Sequence, residues 1–395
     1  MIRRLVLVLA AFAGGGCSQL GMRSEPSSPP ATVVEPAIQV EPVGYESLHA
    51  VAYLSPPPLD EYTDPIVSSS VTRDPEFQEA VGSWIDYWEN AARPWFPDFL
   101  DRMGVFEQTV DSALSRREMP PSLRYLPLIE SGYSPWARSH ASAVGMWQFM
   151  AGTAREFGME VGAFVDERRN PYKSTEAAVD FLEELHGDFD SWFLALAAYN
   201  GGPNRARRIL RENAPLESPS DSLFWALREH WPRETQEFVP KLVGAIIVAS
   251  NPERFGYDAL RPAEPMRFDR VIVPEATTMD VLAGAAETDE EEMRRLNPEL
   301  FRGFTPPGSE YRLRVPAGLG QRFAVNYAAI PADRRMTVVE HSVAQGETLS
   351  HIARRYGISV SDLRAANPEI RPRYLRIGAT LTVPIFSVRT GAGSG

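Results

Sequence analysis

The 395-residue chain has little cysteine, little positive charge and no long apolar stretch, and each shortage excludes a class of protein. Its one cysteine, Cys17, excludes an internal disulfide bond. The 40 Lys and Arg against 52 Asp and Glu give a formal charge of −12, which has the wrong sign for binding nucleic-acid phosphates. An apolar content of 44% still supports at least one core, and the length predicts two or three domains.

The first apolar run, residues 5–13, is too short to span a bilayer. It follows Arg3 and Arg4 and leads through three glycines to Cys17, which is typical of an export signal over residues 1–16. The segment resembles a bacterial lipoprotein signal, which implies a lipid anchor on Cys17 and the periplasmic face of the outer membrane. An ordinary secretory signal with an incidental Cys17 is the alternative.

Proline and small polar residues dominate residues 17–72, and the run Pro56-Pro57-Pro58 excludes a helix there. Such a composition buries too little apolar surface to fold. We predict a disordered spacer that lets a folded domain reach away from the membrane.

A helical domain is predicted over residues 73–256. Aromatic residues recur at helical spacing near its start, at Phe77, Trp84 and Trp88, and we interpret them as core rather than as part of a site. Two further helices are predicted over residues 95–102 and 105–117.

Two serines are predicted to begin later helices, because a serine hydroxyl accepts from the free N–H groups of a first turn. Ser122 would cap the helix that ends at Glu130, and Ser174 a helix over residues 175–186.

Glu130 closes the apolar run Leu126-Pro127-Leu128-Ile129 and precedes Ser131-Gly132. An acid held against apolar neighbours resists ionisation, so its pKa should rise to where it donates a proton at neutral pH. The alternative is a solvated glutamate at the end of a helix.

Two other stretches place polar groups among apolar ones. Gln148 lies between Trp147 and Phe149, so it binds either a ligand or the backbone. Tyr199 and Asn200 end an apolar helix, so they either face a site or cap the helix.

Three motifs in this order, Glu130-Ser131, Gly145-Met146-Trp147-Gln148 and Ala198-Tyr199-Asn200-Gly201, resemble those of the soluble-lytic-transglycosylase family. The resemblance implies a mainly α, goose-type lysozyme-like domain with Glu130 as the catalytic residue and no metal or organic cofactor. It also implies a set of substrate-binding residues: Ser131, Met146, Gln148, Tyr199 and Asn200. The stretch from Glu234 to Lys241 resembles the closing motif of the family, which usually has tyrosine where this chain has Phe238.

Ordinary glycosidases use two carboxylates, about 5–5.5 Å apart or about 6.5–9.5 Å apart. The motifs supply one, because the nearby Asp166, Glu167, Asp188 and Asp190 are interpreted as surface charges. The resemblance implies that Glu130 acts alone, first as acid and then as base, on the bond between N-acetylmuramic acid and N-acetylglucosamine. The product would be a 1,6-anhydro sugar. The rivals are a hydrolytic muramidase on the same fold and a non-catalytic peptidoglycan-binding protein.

The C-terminal part repeats, because Asn297-Pro298-Glu299-Leu300 matches Asn367-Pro368-Glu369-Ile370. Each copy predicts a strand, two short helices and a strand. The second copy, residues 337–386, resembles the LysM module, a small α+β (βααβ) unit that binds glycan strands of peptidoglycan. The first, residues 268–318, resembles a degenerate LysM that binds weakly or only packs, and residues 387–395 are predicted to be flexible. The resemblance implies these glycan-binding residues: Gly346, Glu347, Thr348, Leu349, Asn367, Pro368 and Ile370.

Overall fold

The computed structural model describes residues 40–41, 64–162, 164–257, 263–306, 309–335, 338–356, 358–367, 370–371 and 375–384. The predicted export signal, Cys17, most of the predicted spacer, Pro368 and the predicted tail lie outside these residues. Within them, no helix combines the length and the apolar character that crossing a bilayer requires.

The first folded part is helical, as predicted. Its helices are α1 (Pro75–Asp86), α2 (Phe96–Arg116), α3 (Leu126–Ser131), α4 (Ala151–Glu156), α5 (Pro171–Phe189), α6 (Trp192–Gly201), α7 (Pro203–Asn213), α8 (Asp221–Ala226) and α9 (Arg233–Ser250). Helix α6 lies at the centre, packed against α5 and α9, and every residue from Trp192 to Ala198 is buried. A helix that is apolar on all sides has to be buried in this way.

Helix α2 replaces the two helices predicted over residues 95–102 and 105–117. Gly104 lies between those ranges, but a single glycine in a helix costs only about 1 kcal/mol relative to alanine. The buried Met103, Phe106 and Val110 form one continuous face across it. That apolar face outweighs the local propensity, and the prediction of a break is wrong.

Neither predicted serine cap is formed. The Ser122 backbone N–H and hydroxyl bond the carboxylate of Asp64, at 2.8 and 2.9 Å. Helix α5 starts before Ser174, at Pro171, because the Asn170 Oδ1 accepts from the N–H groups of the first turn at 3.1 and 3.2 Å. Proline suits the first position of a helix, where its missing N–H costs nothing.

The folded domain begins inside the predicted spacer. Asp64 is 2% exposed and Ile66 is fully buried, so residues 64–72 pack on the helical domain. Farther back, the short strand β1 (Val40–Glu41) pairs antiparallel with the first strand of the C-terminal part. A composition rich in proline and serine does not reveal these contacts, because they depend on partners far along the chain.

Both C-terminal copies form the predicted βααβ unit, which confirms a mainly helical fold followed by two small α+β modules. The first consists of β2 (Phe268–Val273), α10 (Met279–Ala285), α11 (Glu290–Leu296) and β3 (Tyr311–Pro316). After the connecting α12 (Gly320–Ala329) and α13 (Ala332–Arg335), the second consists of β4 (Val338–Ser342), α14 (Leu349–Arg355), α15 (Val360–Ala365) and β5 (Thr380–Pro384). The sequence did not predict α12, whose Phe323 and Tyr327 are buried in the core of the first module.

Candidate active site

Residues from the separate motifs converge on one cavity of about 690 Å³ in the helical domain. The cavity is lined by Ser83, Trp84, Tyr87, Ile129, Glu130, Ser139, Gln148, Asn200, Arg233, Glu234, Glu237, Phe238 and Lys241. Glu130, Gln148 and Asn200 therefore face the same space, although 70 residues separate the first from the last.

Glu130 reaches the cavity because α3 ends one residue after it. Gly132 ends that helix in the left-handed conformation, with φ +58°, where a side chain would overlap the ring of Phe99. The turn leaves Glu130 half-buried at the cavity wall behind the apolar Leu128 and Ile129. The predicted position of the acid at the end of an apolar run is confirmed.

Burial raises the pKa of Glu130 to about 7, with Lys241 lowering it and Glu234 raising it further. Burial also lowers the pKa of Lys241, whose ammonium donates to the Ile129 carbonyl at 2.9 Å. The pKa of the Glu130 carboxyl therefore lies near neutral pH, which suits a group that gives up a proton and later takes one back.

We call residues 142–149 the catalytic loop, and two predicted site residues hold it in place. The Ser131 hydroxyl donates to the Met146 carbonyl at 2.8 Å, and the Tyr199 hydroxyl donates to the Trp147 carbonyl at 2.7 Å. The Met146 side chain is fully buried in the domain core, so it cannot touch a sugar as predicted. Tyr199 positions the catalytic loop, rather than donating to Glu130.

Gln148 lies in the cavity wall because the loop turns sharply. Its φ is +51°, and its Nε2 donates to the Gly145 carbonyl at 2.8 Å. Gly145 has φ +85°, and a Cβ there would overlap the Arg168 carbonyl, so the turn requires glycine. Gln148 therefore faces the cavity and also bonds the backbone, and its role in binding a ligand stays a prediction.

Asn200 joins the end of α6 to the start of α9. Its Oδ1 accepts from the Thr235 hydroxyl at 2.8 Å, and its Nδ2 donates to Glu234 at 3.4 Å. Asn200 thus lines the cavity and contacts the Glu234 carboxylate, and its role in binding substrate stays a prediction.

Sequence reasoning placed the stretch from Glu234 to Lys241 in a motif of the family but named no site residue in it. Glu234, Glu237, Phe238 and Lys241 all line the cavity, at the spacing of i, i+3, i+4 and i+7 that places residues on one side of a helix. This spacing was the available signal. The cavity accordingly contains three carboxylates rather than the single one in the motifs.

Trp84, interpreted as core, also lines the cavity, and its Nε1 donates to Glu237 at 2.9 Å. Two acids interpreted as surface charges are buried instead, since Asp166 and Glu167 are 7% and 8% exposed. They pair with Arg168 and Lys173. Asp188 and Asp190 are exposed, as predicted.

In the second C-terminal module, three predicted glycan-binding residues support the fold. Asn367 is buried, and its Nδ2 donates to the Leu363 and Thr382 carbonyls, each at 2.7 Å. Leu349 is buried in the core, and Glu347 accepts from the Ala344 N–H at 2.9 Å and contacts His341 at 2.7 Å. Because Leu349 and Asn367 are buried, they do not contact a glycan directly.

The other predicted positions of that module differ in exposure. Gly346 and Thr348 are exposed and Ile370 is half-buried. Among all the residues that the structure describes, no group of three or more His, Cys, Asp or Glu side chains is placed to hold a metal ion.

A helical domain with a partly buried acid of raised pKa at a cavity wall fits an enzyme that cleaves glycans by acid–base chemistry, and the comparisons identify the class as the lytic transglycosylases. The model of the transglycosylase SLT domain matches residues 109–218, that of the LysM-like domain of lytic transglycosylase MltD matches residues 267–332, and that of the LysM domain matches residues 341–384. Membrane-bound lytic murein transglycosylase D of Escherichia coli K12 is 30% identical over 314 residues, which cover 76% of this chain and 67% of that protein. The chain belongs to the family of that transglycosylase.

Two solved structures are similar over part of the chain, each with a TM-score of 0.31. The lytic transglycosylase Slt of Pseudomonas aeruginosa is 22% identical and matches 38% of this chain and 24% of its own. The 70 kDa soluble lytic transglycosylase of Escherichia coli is 24% identical and matches 40% of this chain and 26% of its own.

Proposed function

We propose that the chain cleaves the β-1,4 bond between N-acetylmuramic acid and N-acetylglucosamine in peptidoglycan and leaves a 1,6-anhydro end. The observation that carries this is the single carboxyl of Glu130, with a pKa of about 7, at the wall of the cavity. Of the other two carboxylates, Glu237 accepts a 2.9 Å hydrogen bond from Trp84, whereas Glu234 has a longer contact of 3.4 Å with Asn200.

In the first step, protonated Glu130 gives its proton to the glycosidic oxygen, and the bond from that oxygen to the anomeric carbon breaks. The acetamido group of the substrate stabilises the resulting cationic carbon, the substrate-assisted exception to the use of two carboxylates. In the second step, the Glu130 carboxylate removes the proton from the C6 hydroxyl of the same sugar. The oxygen of that hydroxyl then forms the bond to the anomeric carbon and closes the 1,6-anhydro ring. Glu130 is protonated at the end of the reaction, as it was at the start, and no water is consumed.

The rival is a hydrolytic muramidase, and the position of Glu234 favours it. Glu234 lines the same cavity as Glu130, and an inverting hydrolase uses a second carboxylate to activate water. The non-catalytic alternative rests on Phe238, which lines the cavity with no group to donate to the acid.

We further propose that Cys17 carries a lipid that anchors the chain at the periplasmic face of the outer membrane. The lipoprotein-like signal supports this, as does the membrane-bound relative. The second C-terminal module, matched by the LysM model, would hold the enzyme on peptidoglycan through Gly346, Thr348 and their neighbours.

The test is digestion of isolated cell wall by the full chain, with mass spectrometry of the products. Anhydro-muropeptides are expected from the transglycosylase, whereas reducing ends would establish the hydrolase. Glu130→Gln keeps the shape of the side chain but removes its proton, so cleavage should fall by at least about a thousandfold. Sedimentation of the variant with cell wall should stay as in the wild type.

Asp188→Asn is the matched control, because Asp188 lies on the surface in an exposed ion pair with Arg207. It should digest cell wall at the wild-type rate. Turnover by Glu130→Gln close to that of this control would remove Glu130 from the mechanism.

A further inference from the structure

The first C-terminal module carries Glu299 in its Asn-Pro-Glu stretch, and we infer that Glu299 is a positioning residue for the catalytic loop. In this reading, the module shapes the active site through its own buried side chain rather than by binding glycan. The inference rests on the proposed function of the cavity, but its first readout does not require turnover.

A glycan cannot reach Glu299, because only 2% of the residue is exposed. Both of its carboxylate oxygens accept from the Arg314 guanidinium at 2.5 Å, and one accepts from the Tyr311 hydroxyl at 2.9 Å. The Arg314 side chain is itself 6% exposed. A charge pair buried this deeply has to keep all its partners, because removing one leaves the other charge uncompensated.

The remaining contacts of Glu299 cross to the helical domain. The Asn170 Nδ2 donates to its carboxylate at 3.1 Å, and the Asp166 N–H donates to its backbone carbonyl at 3.1 Å. Apolar contacts surround these bonds. Val165 of the helical domain is buried within the core of the module. The ring centroids of Tyr172 and Phe268 lie 5.3 Å apart.

The segment that Glu299 holds is the same one that holds the catalytic loop. The carboxylate of Asp166 accepts from the Arg168 Nε and Nη2, each at 2.8 Å. The Nη1 of Arg168 then donates to the carbonyls of Ser142 and Phe149, each at 3.1 Å. Those two carbonyls are the first and last of the catalytic loop, so one guanidinium fixes both of its ends.

The middle of the loop meets the same arginine. The Arg168 carbonyl occupies the space that a side chain at Gly145 would need, so a shift of residues 166–170 moves the turn that carries Gln148. A displacement of about 1 Å at a substrate-contacting group can lower a rate by about a hundredfold. The chain of contacts from Glu299 to Gln148 therefore links the module to the chemistry.

Asn170→Asp in the full chain tests the link. An aspartate keeps the oxygen that caps α5, since the Asn170 Oδ1 accepts from Tyr172 and Lys173. It replaces the donor to Glu299 by a second carboxylate, which should repel the module. We expect faster amide hydrogen exchange across the catalytic loop and unchanged exchange in α9. The value of kcat/KM should fall by about tenfold.

The location of the faster exchange separates the positioning role from a general loss of stability. A variant that only lost stability would exchange faster throughout the helical domain, including α9. Glu290→Gln is the matched control, since Glu290 is an exposed acid of the same module paired with Arg294. It should behave as the wild type.

If the amide hydrogens of the catalytic loop in Asn170→Asp exchanged at the wild-type rate, the inference would be overturned. The inference would also be overturned if Asn170→Asp no longer sedimented with cell wall but kept its turnover, because that result would make the first module a glycan binder. If the wild type released no anhydro product, the proposed function would fail while the exchange data still decided the positioning role.

Discussion

At the residue scale, two charges of opposite sign act on the Glu130 carboxyl. Lys241 stabilises its charged form and lowers the pKa, whereas Glu234 disfavours that form and raises it. Both lie on α9 and line the cavity. Together with burial, which is the largest cause of the raised pKa, they set the pH at which the Glu130 carboxyl loses its proton.

We predict that this balance appears in the pH profile of kcat/KM. The acid must be protonated in the free enzyme, so activity should decline as pH rises through about 7. Lys241→Met should move that decline to higher pH, by roughly one unit, and Glu234→Gln should move it to lower pH. Initial rates on purified glycan strands between about pH 5 and pH 9 measure both shifts.

Glu237→Gln is the control for these shifts, because Glu237 lines the same cavity but is held by Trp84. Its pH profile should keep the wild-type midpoint. Shifts of Lys241→Met and Glu234→Gln in the same direction would refute the electrostatic account of the Glu130 pKa.

At the element scale, Asp64 ties the segment before α1 to the turn that leads into α3. Its carboxylate accepts from the Ile66 N–H at 3.0 Å and from the Ser122 N–H and hydroxyl at 2.8 and 2.9 Å. The Ser122 turn continues directly into the helix that delivers Glu130. A residue distant in sequence thus supports the position of the acid.

Asp64→Ala should lower the free energy of unfolding by about 3 kcal/mol, because it leaves several buried donors without an acceptor. Urea denaturation followed by tryptophan fluorescence gives the value. Asp188→Ala is the comparison, since an exposed ion pair contributes only about 0–1 kcal/mol. Equal losses from the two variants would show that the Asp64 bonds do not stabilise the domain.

The sequence predicted elements where a local pattern decides them. The apolar run of α6 and the repeat of the C-terminal modules were correct, because burial on all sides and internal repetition are visible in the chain itself. The start of α5 at Asn170 and the continuity of α2 were missed, because Ser174 and Gly104 offer competing local signals that tertiary packing overrides.

At the scale of the whole molecule, the resemblance of three short motifs to one family predicted a shared site for Glu130, Gln148 and Asn200, and all three line one cavity. The roles of Ser131 and Tyr199 were not predictable, because each depends on which carbonyl its hydroxyl meets in the folded chain. The bond from Asn170 to Glu299 joins residues 129 positions apart, and no local pattern indicates it.

The raised pKa of Glu130 also makes folding a proton-uptake reaction. A second buried carboxyl, Asp111, has its pKa raised to about 7 by burial, lowered in part by Arg124 and raised by Glu107. In the unfolded chain both acids have their usual pKa values, near 4. The folded state therefore binds more protons between about pH 4 and pH 7, and the stability present below that window is lost as pH rises through about 7.

The chain should accordingly unfold more easily near pH 8 than near pH 5, as measured by thermal unfolding in buffers of equal ionic strength. Glu130→Gln combined with Asp111→Asn should flatten that dependence, and an equally steep dependence in this double variant would contradict the assignment. The raised pKa of Glu130 thus lowers the stability of the folded chain in alkaline medium, so Glu130→Gln should outlast the wild type there.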